Sequence, residues 1–258
     1  MSEKKIILVT TIYNRANYLE ACLESSLRST LDKKYWVHLL IDNASTDGAN
    51  KIAKEYCDKH DHMYFVQNDT NIGQMPAYNF SLAWVQEKFP EIELLSMLDS
   101  DDLLGKLALE KSYEEFVKHP ELSITYSDFN VIDKKGKMVT KKHPKSIKVQ
   151  DELTKEGQAK LRRFMWSRNI ATHFRMMKVK EVVELMGGFN EDYPYSTDYS
   201  IYMFALDAGM MMKKVDATLY NWRTHKTQVE RQFSPEQTQN MLDLKANFET
   251  TWKARGWL

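Results

Sequence analysis

Three short apolar runs, Ile6 to Thr11, Trp36 to Ile41 and Ile92 to Leu98, each end abruptly in a polar cluster. Runs of this length with little polar alternation read as strands buried on both faces, the kind found in parallel sheets covered by helices. The segments between them carry the helical period. Leu19, Cys22, Leu23 and Leu27 share one face of a helix expected over Asn17 to Thr30, and Ile52, Ala53 and Tyr56 mark a second, preceded by Asn43 or Ser45. A strand at Met63 to Gln67, the loop Asn68 to Gly73 and a helix through Trp84 complete a βαβ alternation. Parallel strands present their carboxyl ends on one edge, where ligands bind. The clusters Thr10-Thr11-Ile12-Tyr13-Asn14-Arg15, Asp42-Asn43-Ala44-Ser45-Thr46-Asp47-Gly48 and Asp99-Ser100-Asp101-Asp102 therefore converge on one site.

The second half is less regular. Leu122 to Asp133 and Met138 to Thr140 read as a hairpin around Lys134-Lys135-Gly136-Lys137, followed by a charged loop over Lys141 to Gly157. A strand at Ala171 to Met177, a helix to Met186, the break Gly187-Gly188-Phe189, a helix at Thr197 to Ala208 and a strand through Tyr220 follow. Ser234-Pro235 opens a last helix, with Met241, Leu244, Phe248 and Trp252 on one stripe. Neither an internal repeat nor a Gly/Ser/Pro linker divides the chain, so one compact domain is expected.

Lys plus Arg and Asp plus Glu both number 36, which leaves no net field to recruit nucleic acid or an acidic membrane. Cys22 and Cys57 lie in helix-like apolar patterns and read as buried free thiols in a reducing compartment. The chain shows neither an apolar leader nor a run of ~18 apolar residues, so a cytoplasmic location is expected.

Three carboxylates within four positions repel one another unless a cation or hydrogen-bond donors offset the charge. Mg²⁺ or Mn²⁺ suits them, since hard cations take oxygen ligands and share them with phosphate. The alternative is an acidic turn in which Asp99 or Ser100 caps the next helix. A phosphoacceptor Asp-x-Asp would want a following x-Thr near the first strand, whereas Leu103 follows here and the strand is the fourth. A nucleotidyltransferase would want a Gly-rich loop after the first strand, and Thr10 to Arg15 contains no glycine.

Taken in order, Thr-Ile-Tyr-Asn-Arg after the first strand, the Asp42 to Gly48 segment, the Asp-Ser-Asp-Asp cluster and Gly187-Gly188-Phe189-Asn190-Glu191 ahead of Asp198 form an ordered set. In this set the chain resembles the family 2 glycosyltransferases of the GT-A fold over about its first 225 residues. The resemblance implies an α/β, Rossmann-like fold: a mostly parallel sheet flanked by helices, an antiparallel acceptor-side part and a C-terminal helix. It divides residues 1–225 into a nucleotide-binding half, 1–102, and an acceptor and catalytic half, 103–225, with a helical extension at 226–258.

It also implies roles. Thr11, Tyr13, Arg15, Asp42 and Asn43 would meet the base and ribose, with Asn71, Gly73, Asn79, Asp99 and Ser100 on the donor side. Asp101, Asp102 and His225 would hold Mn²⁺ or Mg²⁺, and Asp198 would be the general base of an inverting transfer from a UDP- or dTDP-sugar. Asp42 or Ser45 as helix cap, and Thr197 or Asp198 as N-cap, stay open beside these roles. Two positions depart from the pattern: Asn43 replaces a second Asp, and Thr197 replaces a Glu. They keep open a sugar-nucleotide-binding scaffold that has lost turnover. The acceptor, a carbohydrate or a lipid-linked species, would meet Trp166, Asn169 and His173. The C-terminal helix, with Trp252, Lys253, Arg255, Trp257 and Leu258, would pack on its own domain, on a second copy or on a membrane surface.

Overall fold

The sheet is built around β1 (Ile6–Ile12), whose side chains enter two different cores. Ile7 and Val9 join one apolar cluster and Ile6 and Leu8 another, all fully buried, which is why the run shows no polar alternation. The computed structural model describes residues 5–140, 152–167, 173–228 and 234–258. β2 (Trp36–Asp42), β3 (Met63–Gln67) and β4 (Leu94–Met97) run parallel with β1 in the order β3-β2-β1-β4. The intervening helices are α1 (Ala16–Leu27), α2 (Ala49–Lys59) and α3 (Gln74–Lys88).

Beyond β4 the sheet becomes mixed. β5 (Leu103–Leu104) follows the acidic cluster, and α4 (Ala108–Lys118) follows β5. Ala108, Leu109, Ser112 and Phe116 of α4 are buried, a helical spacing the sequence reading passed over. β6 (Ile124–Ile132) and β7 (Met138–Thr140) form the expected hairpin. α5 (Lys155–Ser167) begins inside the segment read as loop; Lys141 to Asp151 lie outside the described residues. β8 (Met176–Lys178) is antiparallel to both β4 and β6, and is shorter than the expected strand, of which Ala171 and Thr172 lie outside the described residues. α6 (Val179–Met186), α7 (Thr197–Asp207) and β9 (Met212–Arg223) follow, with β9 parallel to β6 and antiparallel to β5.

The last helix, α8 (Ser234–Ala254), turns its stripe inward: Leu244, Phe248 and Trp252 are buried in the same cluster as α3 and α7. Phe248 meets Phe204 edge-on at 5.0 Å, and Trp252 donates from Nε1 to Asp207 Oδ1 at 2.8 Å. The stripe expected to face its own domain, a second copy or a membrane is thus enclosed in the chain's own core. Among the described residues no helix is long and apolar enough to cross a membrane. Cys22 and Cys57 are free thiols.

One polar chain crosses the interior beneath β1 and β2. Ser26 already donates to Leu23 O, so its oxygen accepts from His38 Nδ1 at 3.2 Å, and Thr10 Oγ1 lies 2.9 Å from His38 Nε2. The ring is neutral with its proton on Nδ1. Burial, then the neighbouring His62, pushes the His38 pKa from 6.5 down to about 3. The unfolded chain therefore takes up a proton that the folded chain refuses over that interval. Stability should be fully present above pH 6.5 and decline as pH falls toward 3, by on the order of a few kcal/mol from this group. Denaturant titrations across this range should show the decline, and His38→Gln should flatten it.

Candidate active site

The first two strand-end loops are stitched together. Asn14 adopts φ 52°, in the left-handed region that asparagine enters more readily than most residues. Its Oδ1 accepts from Thr46 N at 2.9 Å, and its own N–H donates to Ser45 Oγ at 3.0 Å. Asp47 accepts from Ala16 N at 2.8 Å and Ala49 N at 3.0 Å, so one carboxylate serves the amino ends of both α1 and α2. Asn43 and Ser45 precede α2, as expected, but the helix follows Gly48 and neither side chain caps it.

Asp42 ends β2 fully buried. Its Oδ2 accepts from Ser45 N at 3.0 Å, while Oδ1 has no partner among the described residues. An unmatched buried carboxylate oxygen is costly and is the kind of atom a ligand satisfies. The Asn43 amide is engaged: it donates to Gly73 O at 3.1 Å and accepts from Asn68 at 2.7 Å, while Asn71 Oδ1 accepts from Gly73 N at 3.0 Å. Asn43 therefore braces the loop that carries Asn71 and Gly73. Thr11 is half-buried, and Tyr13 is exposed at the mouth.

The acidic cluster follows β4, and its members have different partners. Asp101 Oδ2 accepts from Arg15 Nε at 2.8 Å and lies 3.0 Å from His225 Nε2. The His225 ring stacks on Tyr18 at 4.6 Å, with Nδ1 3.0 Å from Thr227 Oγ1. Burial works to raise the Asp101 pKa, but His225 and Arg15 outweigh it and hold the carboxyl low. Asp102 is buried and accepts from Arg223 N at 2.6 Å; burial first, then the charges of Asp101 and Asp99, push it well above the usual range. The Arg223 Nε donates to Asp101 O at 2.5 Å. Asp99 Oδ1 accepts from Gln74 Nε2 at 3.1 Å, and its backbone N–H donates to Tyr220 OH at 3.1 Å. Ser100 is buried. Because β5 comes next and α4 starts only at Ala108, neither Asp99 nor Ser100 caps a helix.

Two donor sets are compatible with a divalent ion. Asp101 Oδ2 and His225 Nε2 are separated by 3.0 Å, about the spacing of adjacent ligands around an ion with bonds of ~2.1 Å. Asp99, Asp102 and His173 offer ligand atoms that all lie within 4.8 Å of one another. The carboxylate and imidazole chemistry fits Mn²⁺ or Mg²⁺ in either set.

Asp198 lies in the first turn of α7, which follows Ser196 with no side-chain cap. Its Oδ1 accepts from the Arg175 guanidinium, and its Oδ2 is 3.5 Å from His173 Nε2. Burial acts to raise its pKa; Arg175 and His173 override that and hold it below the ordinary carboxylate range. Arg175 is itself buried and donates from Nε to Met97 Sδ at 3.0 Å. His173 stacks on Tyr220 at 4.6 Å. Trp166 packs on Trp252 at 5.6 Å, and Asn169 lies outside the described residues.

Asn79 grips the Gly187-Gly188-Phe189 break from α3. It accepts from Phe189 N at 2.7 Å and donates to Phe189 O at 2.9 Å and Glu191 at 2.7 Å. Gly188 has φ +95°, and a Cβ there would meet Asn79 Oδ1 at 2.9 Å, so the glycine is required by both backbone and neighbour. A separate cavity of about 720 Å³ opens beside the start of β4, lined by Leu94, Phe116, Val117, Lys178 and Val183, at the sheet edge opposite the acidic cluster.

Sequence reading missed Gln74, Arg175, Tyr220 and Arg223. Arg175 left one signal: a cation in the apolar run Phe174-Arg175-Met176-Met177 must find a partner if it is buried.

The family model described as Glycosyl transferase family 2 matches residues 7–184, more than half of the chain. Chondroitin synthase of Escherichia coli is 28% identical over 215 residues, 83% of this chain and 28% of that protein. An uncharacterized glycosyltransferase of Methanocaldococcus jannaschii is 22% identical over 204 residues, 79% of this chain and 65% of its own length. The chain thus spans less than two thirds of these curated relatives. Among solved structures, S. aureus TarS 1-349 in complex with UDP-GlcNAc superposes with a TM-score of 0.67 at 16% identity, over 95% of this chain and 73% of that one. A mannosyltransferase of Pyrobaculum calidifontis in complex with GDP-Man and Mn²⁺ gives 0.66 at 16% identity, over 94% and 63%. At that identity the likeness carries the fold, and the GT-A expectation holds.

Proposed function

From the membership of this chain in glycosyl transferase family 2, we propose that it moves a sugar from a UDP- or dTDP-sugar to an acceptor hydroxyl with inversion at the anomeric carbon. The observation that carries the reading is the placement of three carboxylate groups at the carboxyl ends of β2 and β4 and at the start of α7, with Gln74 bridging the β4 end to α7. These are Asp42 with its unmatched oxygen, Asp101 against Arg15 and His225, and Asp198 against Arg175 and His173.

Asp42 Oδ1 accepts the ring N–H of a pyrimidine, and Tyr13 offers an aromatic face for stacking. Thr11, Asn71, Gly73, Asp99 and Ser100 line the donor seat, with Asn43 bracing it from behind. Asp101 and His225 would hold Mn²⁺ or Mg²⁺, with Asp102 backing the loop through Arg223. An ion bound there would supply positive charge to the leaving diphosphate. Asp198 takes the acceptor proton on Oδ2, since Oδ1 is held by Arg175. The acceptor oxygen attacks the anomeric carbon as the bond to the nucleoside diphosphate breaks, and one displacement with one base gives inversion. The acceptor is a carbohydrate or lipid-linked hydroxyl of the kind used in polysaccharide biosynthesis.

A thermal-shift screen of UDP-, dTDP- and GDP-sugars with Mn²⁺, followed by nucleoside diphosphate release with a panel of acceptors, tests this reading. A pyrimidine donor should raise the melting temperature, because it binds only the folded state, and it should be consumed with a suitable acceptor. Tight donor binding without turnover, unaltered by Asp198→Asn, would identify a scaffold instead. Preference for a GDP-sugar would move the base specificity away from a pyrimidine.

A further inference from the structure

We propose that Gln74 is a positioning residue that sets the donor-side carboxylate Asp99 and the base helix α7 in register with one another. Its amide has one acceptor oxygen and two donor hydrogens, and each has a matching partner. Nε2 donates to Asp99 Oδ1 at 3.1 Å and to Tyr78 OH at 2.9 Å, and Oε1 accepts from Thr197 Oγ1 at 3.1 Å. The orientation is fixed by chemistry: a flipped amide would set its oxygen against the Asp99 carboxylate and its NH₂ against a hydroxyl that here donates.

The connection extends in both directions. Gln74 opens α3 directly after Gly73, which has φ +88° and whose carbonyl accepts from Asn43 at the end of β2. Thr197 is the first residue of α7 and the neighbour of Asp198. Gly73 and Gln74 therefore touch the ends of β2 and β4 and the start of α7, three elements far apart in sequence. The departure at position 197 has a function in this arrangement. A threonine hydroxyl donates to Gln74 Oε1, which a glutamate carboxylate cannot do.

The inference rests on the reading of Asp99 as a donor-side residue and Asp198 as the base. It assigns Gln74 no contact with the reacting atoms; the amide acts through Asp99 and Thr197. Losing it should misalign the base relative to the donor, lowering kcat while leaving donor binding almost intact.

Steady-state kinetics with the full chain, Mn²⁺ and a UDP- or dTDP-sugar test it. Gln74→Met and Thr197→Val should each lower kcat on the order of tenfold or more, with donor KM within about threefold of the parent. The double variant should be no slower than the worse single variant, because both remove one connection. Thr197→Ser should restore kcat, since it keeps the hydroxyl. Losses that multiply in the double variant, a loss confined to donor KM, or a Thr197→Ser enzyme as slow as Thr197→Val would overturn the inference alone. If Gln74→Met does not fold, the comparison of Ser with Val at position 197 decides it. A parent chain that transfers no sugar from either donor class overturns the proposed function, and this inference with it.

Discussion

Asp198→Asn is expected to slow sugar transfer by roughly 10²- to 10⁴-fold, the range usually lost with a general base, while nucleoside diphosphate affinity stays within a few fold. Asparagine keeps the shape of the side chain and an oxygen for Arg175, but it cannot take a proton. The measurement is kcat beside a calorimetric nucleotide titration, and a variant that retains transfer would remove Asp198 from the chemistry. The setting of the residue also fixes the sign of the pH dependence. With Arg175 and His173 holding its pKa below the ordinary range, Asp198 is ionised and competent above that pKa, and activity falls only as pH drops through it. Arg175→Met should move that acid limb upward. It should also destabilise the chain by about 3–5 kcal/mol, the usual cost of breaking a buried ion pair from one side.

Asp101→Ala should abolish divalent-dependent transfer, a loss of roughly 10³-fold or more if several kcal/mol of charge stabilisation at the leaving group disappear. It strips Arg15 and His225 of their shared acceptor, so nucleotide affinity should lose its response to Mn²⁺ as well. Asp102→Asn should act differently. Asp102 is buried and accepts from a backbone N–H, so its replacement should show first in the melting temperature. The second donor set gives the contrary outcome a definite form: Mn²⁺ dependence lost in His173→Ala and kept in His225→Ala would transfer the ion to Asp99, Asp102 and His173.

How much of this was legible in the sequence depended on the range of the interaction concerned. β1 and β2 are readable because a strand buried on both faces leaves an apolar run, and the half-buried edge strand β3 because Met63-Tyr64-Phe65-Val66 is apolar as well. The acidic cluster was readable because three neighbouring carboxylates pose an electrostatic problem by themselves. Gln74 and Arg175 were not, since their partners Thr197 and Asp198 stand far away in the chain, and an isolated Gln or Arg carries no local pattern. Asn43 was read as a base contact, yet its amide is bound to Asn68 and Gly73, a use that only the closure of the loop reveals. α4 has only a faint signature, since its four buried positions, Ala108, Leu109, Ser112 and Phe116, include two small residues among mostly charged neighbours.

The sharing of Asp101 Oδ2 between Arg15 and His225 also governs how that carboxylate can load. Arg15 is a resident counter-ion, its guanidinium fastened as well to Thr227 O at 3.3 Å. On the proposed reading, a cation bound at that oxygen would compete with the guanidinium, and the exchange is favoured when the guanidinium has another anion to go to. A nucleoside diphosphate is such an anion. On the proposed reading the site would work as an ion exchanger, with metal and diphosphate favouring each other's entry because the Arg15 guanidinium released by one can pair with the other.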